Sequence, residues 1–277
     1  MHDIFAFGDI HGMYDLYKAI MDYCYEQDPE ATIVFLGDAC DRGRNGYKII
    51  KELLDNPYVI YLKGNHEDML THAMREIKQY FNLEDSNRDN ARKILRACRY
   101  FDSKYMGIQS VMYNGGTDTL LDWIEDGMPI DIYNKLIKLP LTFSTDVCDF
   151  CHSAGTFNTF STVAMKEYRE EEIHEWESES ILWERVTLES KWRDDRIAIF
   201  GHTPVMLVPE FVKSIKFEKI QPLKWDNKID MDTGAAFTGK AYVLNCLTMQ
   251  AQGFEDKEFK DDEFRKHDVE KIDVIQM

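Results

Sequence analysis

No run of about 18 apolar residues occurs in this chain, so no membrane-spanning helix is expected. The N-terminus lacks the basic, apolar and small-residue succession of a secretory leader. A cleaved leader would also remove Asp9, which belongs to a chemistry-bearing block. Positive charge is in short supply. Against 50 Asp and Glu stand 33 Lys and Arg, giving a formal charge of −17 and a pI near 4.9. That balance argues against a protein that coats nucleic acid, because such binding rests on basic side chains neutralising phosphates. The acidity itself reads as solubility. The six cysteines (Cys24, Cys40, Cys98, Cys148, Cys151 and Cys246) are scattered, and a reducing, cytoplasmic compartment would keep them as thiols. Cys148 and Cys151 form a lone CxxC in a predicted strand, where residues three apart point to opposite faces, so no zinc or redox role is expected. Internal repeats and clean linkers are also missing. What remains is 277 residues, 44% of them hydrophobic, enough for a sizeable core in one large domain or two small ones.

Five short blocks stand out: GDIHG at 8–12, GDACDRG at 37–43, GNHE at 64–67, CHSAG at 151–155 and GHTP at 201–204. Each is reached from a predicted buried strand. Ile4–Phe7 precedes the first, Thr32–Leu36 the second and Tyr58–Leu62 the third. Helices are predicted over 13–26, 45–54 and 67–79, the second stopped by Asn56-Pro57. Strands at Leu141–Ser144, Asp149–His152 and Ile197–Phe200 carry the remaining blocks. In open α/β sheets, sites collect at the carboxyl ends of strands. Residues 84–138 read as a helical insertion, with Gly115-Gly116-Thr117 opening a helix. Lys166–Glu179 reads as a charged surface loop or helix. Phe211–Ile220, Ile229–Asp232 and Ala241–Asn245 are expected to complete a second sheet. The expected fold class is α/β: a two-sheet β-sandwich flanked by helices. A single catalytic domain would span 1–254, followed by an exposed charged tail over 255–277.

The residue types in these blocks suit divalent metals. Asp9 and His11, two apart just past a strand, can reach one metal. Asp38 has two carboxylate oxygens and could bridge two metals roughly 3.5–4 Å apart. Asp41 and Arg42 share its loop. Asn65 offers a neutral carbonyl oxygen with His66 beside it, and His152 and His202 come from later strand ends. Any one block alone is more simply a strand–turn junction or a packed histidine. Five in compatible order are hard to obtain by accident.

In this order the blocks resemble the signature of the calcineurin-like metallophosphoesterases, and within them the PPP-type serine/threonine protein phosphatases. The resemblance covers about residues 4–245, leaves 84–138 unmatched, and is nearest to compact bacterial and bacteriophage members. Relatives of those members include symmetrical diadenosine tetraphosphate hydrolases. The resemblance implies that Asp9 and His11 hold a first metal, that Asp38 bridges, and that Asn65, His152 and His202 hold a second. The pair would be manganese, iron or zinc. It also implies that His66 is the general acid, oriented by Asp41, and that Arg42 holds the phosphate. Ile181-Leu182-Trp183-Glu184-Arg185 resembles a segment that carries a second phosphate-binding arginine, which nominates Arg185. Asp232, in Met231-Asp232-Thr233-Gly234, would be a supporting residue and not a ligand.

The chemistry is coherent without the name. Two metals and two arginines would cancel the repulsion between a phosphate dianion and an anionic nucleophile. A metal-bridging hydroxide would attack phosphorus directly, and His66 would protonate the leaving oxygen. The expected substrate is a phosphorylated protein or a small phosphate ester, on the aryl side as well. Hydrolysis of diadenosine tetraphosphate or another nucleotide on the same core is the alternative. A non-catalytic binding protein would have lost a ligand or the His66–Asp41 pair, and neither is lost. Three departures from the family pattern remain. Ala39-Cys40 replaces an aromatic–aliphatic pair, with Cys40 read as a small buried filler. Ser153 separates His152 from Ala154-Gly155, and Pro204 stands where phosphodiesterase-type relatives place a second histidine.

Overall fold

The computed structural model describes residues 2–81, 87–99, 103–185, 192–208, 219–259 and 267–277. Three strand–helix units open the chain. Ile4–Phe7 (β1) leads into Tyr14–Gln27 (α1), Thr32–Phe35 (β2) into Gly46–Asp55 (α2), and Val59–Tyr61 (β3) into Asn65–Tyr80 (α3). Apart from Thr32 at the start of β2, the strands carry apolar and aromatic residues because both faces are covered. In β1, Phe5 and Phe7 enter the helical layer, while Ala6 faces the second sheet. In β2, Ile33 and Phe35 do the former and Val34 the latter. α2 ends at Asp55, since the residue before Pro57 is biased away from helical backbone.

The predicted insertion is helical: Arg88–Ala97 (α4), Met106–Tyr113 (α5), Thr117–Glu125 (α6) and Ile130–Leu136 (α7). It is no separate lobe. Leu95, Ile108, Val111, Leu120, Trp123 and Leu136 join the core that α1, α2 and α3 build on the first sheet. Arg88 ties α4 to α6 through Asp118, Asp122 and Glu125.

Thr142–Ser144 (β4) and Cys148–Cys151 (β5) begin the second sheet. Two helices follow, Phe157–Arg169 (α8) and Glu175–Trp183 (α9), and then Ile197–Phe200 (β6). α8 was not expected; the charged reading of Lys166–Glu179 covered only its end and the start of α9. Its apolar stripe is thin, with Phe160 and Val163 its buried residues. Leu223–Trp225 (β7) and Lys228–Asp230 (β8) complete a sheet ordered β4-β5-β6-β8-β7. The strand expected at Phe211–Ile220 falls largely outside the described residues. The CxxC divides as its spacing demands: Cys148 lies in the inter-sheet core and Cys151 in the outer core under α8 and α9.

The C-terminal part corrects two expectations. A short helix, Ala235–Thr238 (α10), precedes Lys240–Asn245 (β9), and β9 pairs with β1 of the first sheet, not the second. The exposed tail expected from 255 does not end the fold. Gln250–Asp256 (β10) and Val269–Gln276 (β11) are antiparallel strands of the first sheet, ordered β11-β10-β9-β1-β2-β3. β11 is an edge strand, where charged side chains discourage further pairing, and that charge hid the strand. Ile272, Ile275 and Met277 still pack on the inter-sheet core. Among the described residues no helix is long and apolar enough to cross a membrane.

Candidate metal and phosphate site

Parallel pairing of β1, β2 and β3, and of β5, β6 and β8, brings six strand ends to one edge of the sandwich. Asp9 and His11 follow β1, and Asp38, Asp41 and Arg42 follow β2. Asn65 and His66 form the first turn of α3, and His152, His202 and Asp232 follow β5, β6 and β8. These loops are tightly bent. Asp9, His11, Asp38, Asp41, Arg42 and His202 all hold positive φ, from 44° to 69°. Non-glycine residues seldom adopt that region, and their clustering here singles these loops out as a candidate site. Backbone bonds lock the first two loops together: Asp9, His11 and Gly12 donate to the carbonyls of Gly37, Asp38 and Ala39. Glu67 braces the third loop. Its carboxylate accepts from the backbone N–H of Asp38, Ala39 and Gly64 and from the Tyr61 hydroxyl.

At the centre, lone pairs face one another. His152 Nδ1 donates to the Leu36 carbonyl at 2.9 Å, so its Nε2 is an acceptor. That Nε2 lies 2.9 Å from Asn65 Oδ1 and 3.4 Å from Asp38 Oδ1. His202 Nδ1 lies 3.0 Å from the same Asn65 oxygen. On the other side of Asp38, His11 Nδ1 donates to the Cys40 carbonyl at 2.8 Å, and its Nε2 lies 3.5 Å from Asp38 Oδ2. A histidine that donates one N–H to a backbone carbonyl and aims the other nitrogen inward is oriented as a metal ligand is. Acceptors crowded in this way, with Asp9 Oδ2 buried and unpartnered beside them, fit two cations sharing Asp38. Two donor sets within 4.8 Å contain Asp38: one with His152 and His202, the other with His11 and His66. Asp9 stands outside that second set; its Oδ1 takes the backbone N–H of His202.

The electrostatics agree. Burial pulls His11, His152 and His202 down, His202 to about 3, so all three are neutral and able to ligate at pH 7. Burial raises Asp38, but the surrounding imidazoles His152, His66, His11 and His202 reverse this and hold it well below the usual carboxylate range. Asp9 is pushed up by burial and then by the carboxylates of Asp232 and Asp38, an excess of negative charge that a cation would relieve.

His66 is built differently. Its Nδ1 meets Asp41 Oδ2 at 2.7 Å, and its Nε2 lies 3.4 Å from Arg42 Nη2 and 3.7 Å from Asp38 Oδ2. Burial pulls its pKa down, yet Asp38 and the bond to Asp41 outweigh that and leave it above the ordinary histidine value. It is thus an imidazole held by a carboxylate and more readily protonated than the histidines around it. The Arg42 guanidinium sits over the exposed Phe237 ring, 5.1 Å from its centroid. Cys40 is fully buried, and burial lifts its thiol well above the ordinary value, as a small filler requires.

Arg185 is exposed near the mouth, two residues beyond Trp183, whose carbonyl lies 3.2 Å from His202 Nε2. Its charge helps lower His202, but among the described residues no bond joins it to the central cluster. Sequence reasoning missed three contributors. The Trp183 carbonyl carries no side-chain signal. Asp230 and Asp232 each leave a buried carboxylate oxygen unpartnered, and only Asp232 had been noticed. Gly116 of the insertion leaves room for the Asp41 carboxylate, with which a Cβ there would collide.

A family model described as calcineurin-like phosphoesterase matches residues 2–206. No curated protein matches the chain. Among solved structures, a cold-active protein tyrosine phosphatase aligns with 14% identity over 91% of this chain and 76% of its own, at a TM-score of 0.51. Another structure of such an enzyme, from a psychrophilic Shewanella species, aligns with 12% identity over 99% and 81%, at 0.50. A protein serine/threonine phosphatase from Saccharomyces cerevisiae aligns with 12% identity over 100% and 81%, at 0.47. Likeness at such identities extends to the fold alone.

Proposed function

We propose that this chain, which belongs to the calcineurin-like phosphoesterase family, is a phosphoprotein phosphatase that hydrolyses phosphate monoesters with two divalent metals. The observation that carries this reading is the pairing of two unlike histidine environments around Asp38. Neutral, backbone-held imidazoles converge on its carboxylate, and beside them stands the carboxylate-held His66 with Arg42 in reach. Asp9, His11 and Asp38 would hold one metal, and Asp38, Asn65, His152 and His202 the other. When bound, the metals supply Lewis-acid charge and lower the pKa of water, with manganese, iron or zinc as the candidates.

The chain's own groups do the rest. Arg42 binds phosphate oxygens and, by its position beside His66, sets the ester oxygen next to that imidazole. Asp41 keeps the proton on Nδ1 and the ring aimed, so that Nε2 can release its proton to the leaving oxygen. Arg185 at the mouth would take a second phosphate oxygen.

The direct test is metal-loaded protein assayed on p-nitrophenyl phosphate, with metal stoichiometry read by calorimetry. Two bound ions and a turnover abolished by chelation are expected. Neither hydrolysis nor metal binding with manganese, iron and zinc would sink the enzyme reading. Comparison of phosphoserine peptides with diadenosine tetraphosphate then separates a protein phosphatase from a nucleotide hydrolase. For Arg185→Ala we expect KM for the aryl ester to rise roughly tenfold with a smaller change in kcat, since one charged hydrogen bond is lost. An unaltered KM would remove Arg185 from the phosphate site.

A further inference from the structure

Arg42 has two demands to meet at once: its guanidinium must stand still, and its N–H groups must be kept for phosphate. It follows Asp41 in a loop of positive φ, and its side chain is exposed. The backbone is fixed by Gly115 of the insertion, where an added Cβ would lie 3.1 Å from Arg42 N and Cα. The guanidinium at the far end meets two rings. Its Nη2 lies 3.4 Å from His66 Nε2, and its central carbon sits over Phe237, 5.1 Å from the ring centroid. Among the described residues no carboxylate forms an ion pair with it.

The identity of this anchor has a chemical consequence. A carboxylate would also hold Arg42, but it would do so through two parallel N–H···O bonds. Those are the donors that phosphate needs, so the acid would compete with the substrate. A phenyl ring attracts a guanidinium through its quadrupole and offers no oxygen, so it leaves the donors to an oxyanion. An arginine held in this way also loses less side-chain freedom when phosphate arrives.

Phe237 is placed for the task. It stands in α10, just beyond the loop that carries Asp232 from the end of β8 to the same edge of the sandwich. That turn is firmly tied. The Gly234 N–H donates to Asp232 Oδ1 at 2.8 Å, the Phe237 N–H to the Gly234 carbonyl at 2.8 Å, and the Thr238 hydroxyl to the Thr233 carbonyl at 3.1 Å. Ala235 of the same helix is buried in the core, while 48% of Phe237 is exposed. A large apolar ring left half in water contributes little to the core, and its contact with Arg42 gives it another use.

We propose that Phe237 is a positioning residue, whose ring holds the Arg42 guanidinium at the phosphate site without consuming its donors. This rests on the phosphatase reading and deepens it: phosphate affinity depends on a side chain that does not itself touch phosphate.

The test is a double-mutant cycle on manganese-loaded protein. Wild type, Phe237→Leu, Arg42→Ala and the double variant are compared by kcat/KM on p-nitrophenyl phosphate. Leucine keeps the apolar bulk and removes the ring. KM and the calorimetric Kd of inorganic phosphate are also measured for wild type, Phe237→Leu and Phe237→Tyr. Loss of a cation–π contact at a partly exposed site predicts that both rise roughly fivefold in Phe237→Leu, with a smaller change in kcat. Phe237→Tyr, which keeps the ring, should stay near wild type. Once Arg42 is gone, Phe237→Leu should cost nothing further in kcat/KM. An equal loss in the Arg42→Ala background overturns the proposal, because Phe237 would then act on the substrate directly or only support the fold. Unchanged KM and Kd in Phe237→Leu, or a tyrosine variant as impaired as the leucine one, also overturn it. In each of these cases hydrolysis by the wild type still stands, and the phosphatase reading with it. Absence of both hydrolysis and phosphate binding in the wild type overturns the two together.

Discussion

Asp38→Asn is expected to remove both metal sites with one substitution. Asp38 Oδ1 faces His152 Nε2 and Asp38 Oδ2 faces His11 Nε2, at 3.4 and 3.5 Å, so its two oxygens serve opposite halves of the site. An amide replaces one oxygen with an NH₂ group, which cannot ligate and donates toward an imidazole instead. The metals contribute several kcal/mol to the transition state, and each 1.4 kcal/mol is a factor of ten. A loss of roughly a thousandfold or more in aryl phosphate hydrolysis should follow. Calorimetry should register fewer than two ions with weakened affinity. Wild-type stoichiometry and affinity in the variant would show that Asp38 does not bridge.

The same substitution has a second readout in metal-free protein. The folded pKa of Asp38 is depressed by the imidazoles around it. Stability from that depression is fully present above the unfolded value of about 3.9 and is lost as pH falls through the folded one. The Asn variant lacks this contribution, so its melting temperature should fall less steeply as pH drops below about 4, from the unfolded value towards the lower folded one. Identical acid profiles would mean that the carboxylate gains nothing from its neighbours.

How much of this was legible beforehand depended on whether a residue announced itself locally. Asp9, His11, Asp38, Asn65, His152 and His202 stand in glycine-flanked turns directly after apolar strands, and parallel pairing makes those turns neighbours in space. Local pattern and global fold agree there, so the cluster could be read. Gly116 could be seen to open α6, but not that its missing Cβ admits Asp41. That contact spans 75 residues of chain and leaves no periodicity. β11 failed for the opposite reason: its five exposed residues, Glu270, Lys271 and Asp273 among them, outnumber Val269, Ile272 and Ile275 that pack on the cores, and they mimic a tail. β9 was recognised as a strand and given the wrong sheet. Its sequence records a buried element, and only its antiparallel pairing with β1 records the partner.

His66→Asn should separate proton transfer from metal binding. The side chain of His66 touches Asp41 and Arg42, while its backbone N–H donates to Asp38 Oδ1 at 3.1 Å and survives the substitution. Both metals should therefore bind as in wild type. A positioned general acid contributes about 10²–10⁴-fold. That full loss is expected on phosphoserine peptides, whose alkoxide leaves poorly without a proton. On p-nitrophenyl phosphate, whose phenolate needs little help, the loss should be at least tenfold smaller. The pH profile gives the sign independently. Without metals, Asp38 and then Asp41 outweigh burial and hold His66 above the ordinary histidine value of about 6.5; with cations on Asp38, the bond to Asp41 is what keeps the proton on the ring. Wild-type kcat on the peptide should decline as pH rises and His66 loses its proton, and the decline should be missing in His66→Asn. Asp41→Asn should shift the same limb to lower pH, since the carboxylate that helps hold the proton on the ring is gone. Equal losses on the two leaving groups, with the basic limb intact in both variants, would leave His66 as a phosphate ligand and require the acid to be found elsewhere.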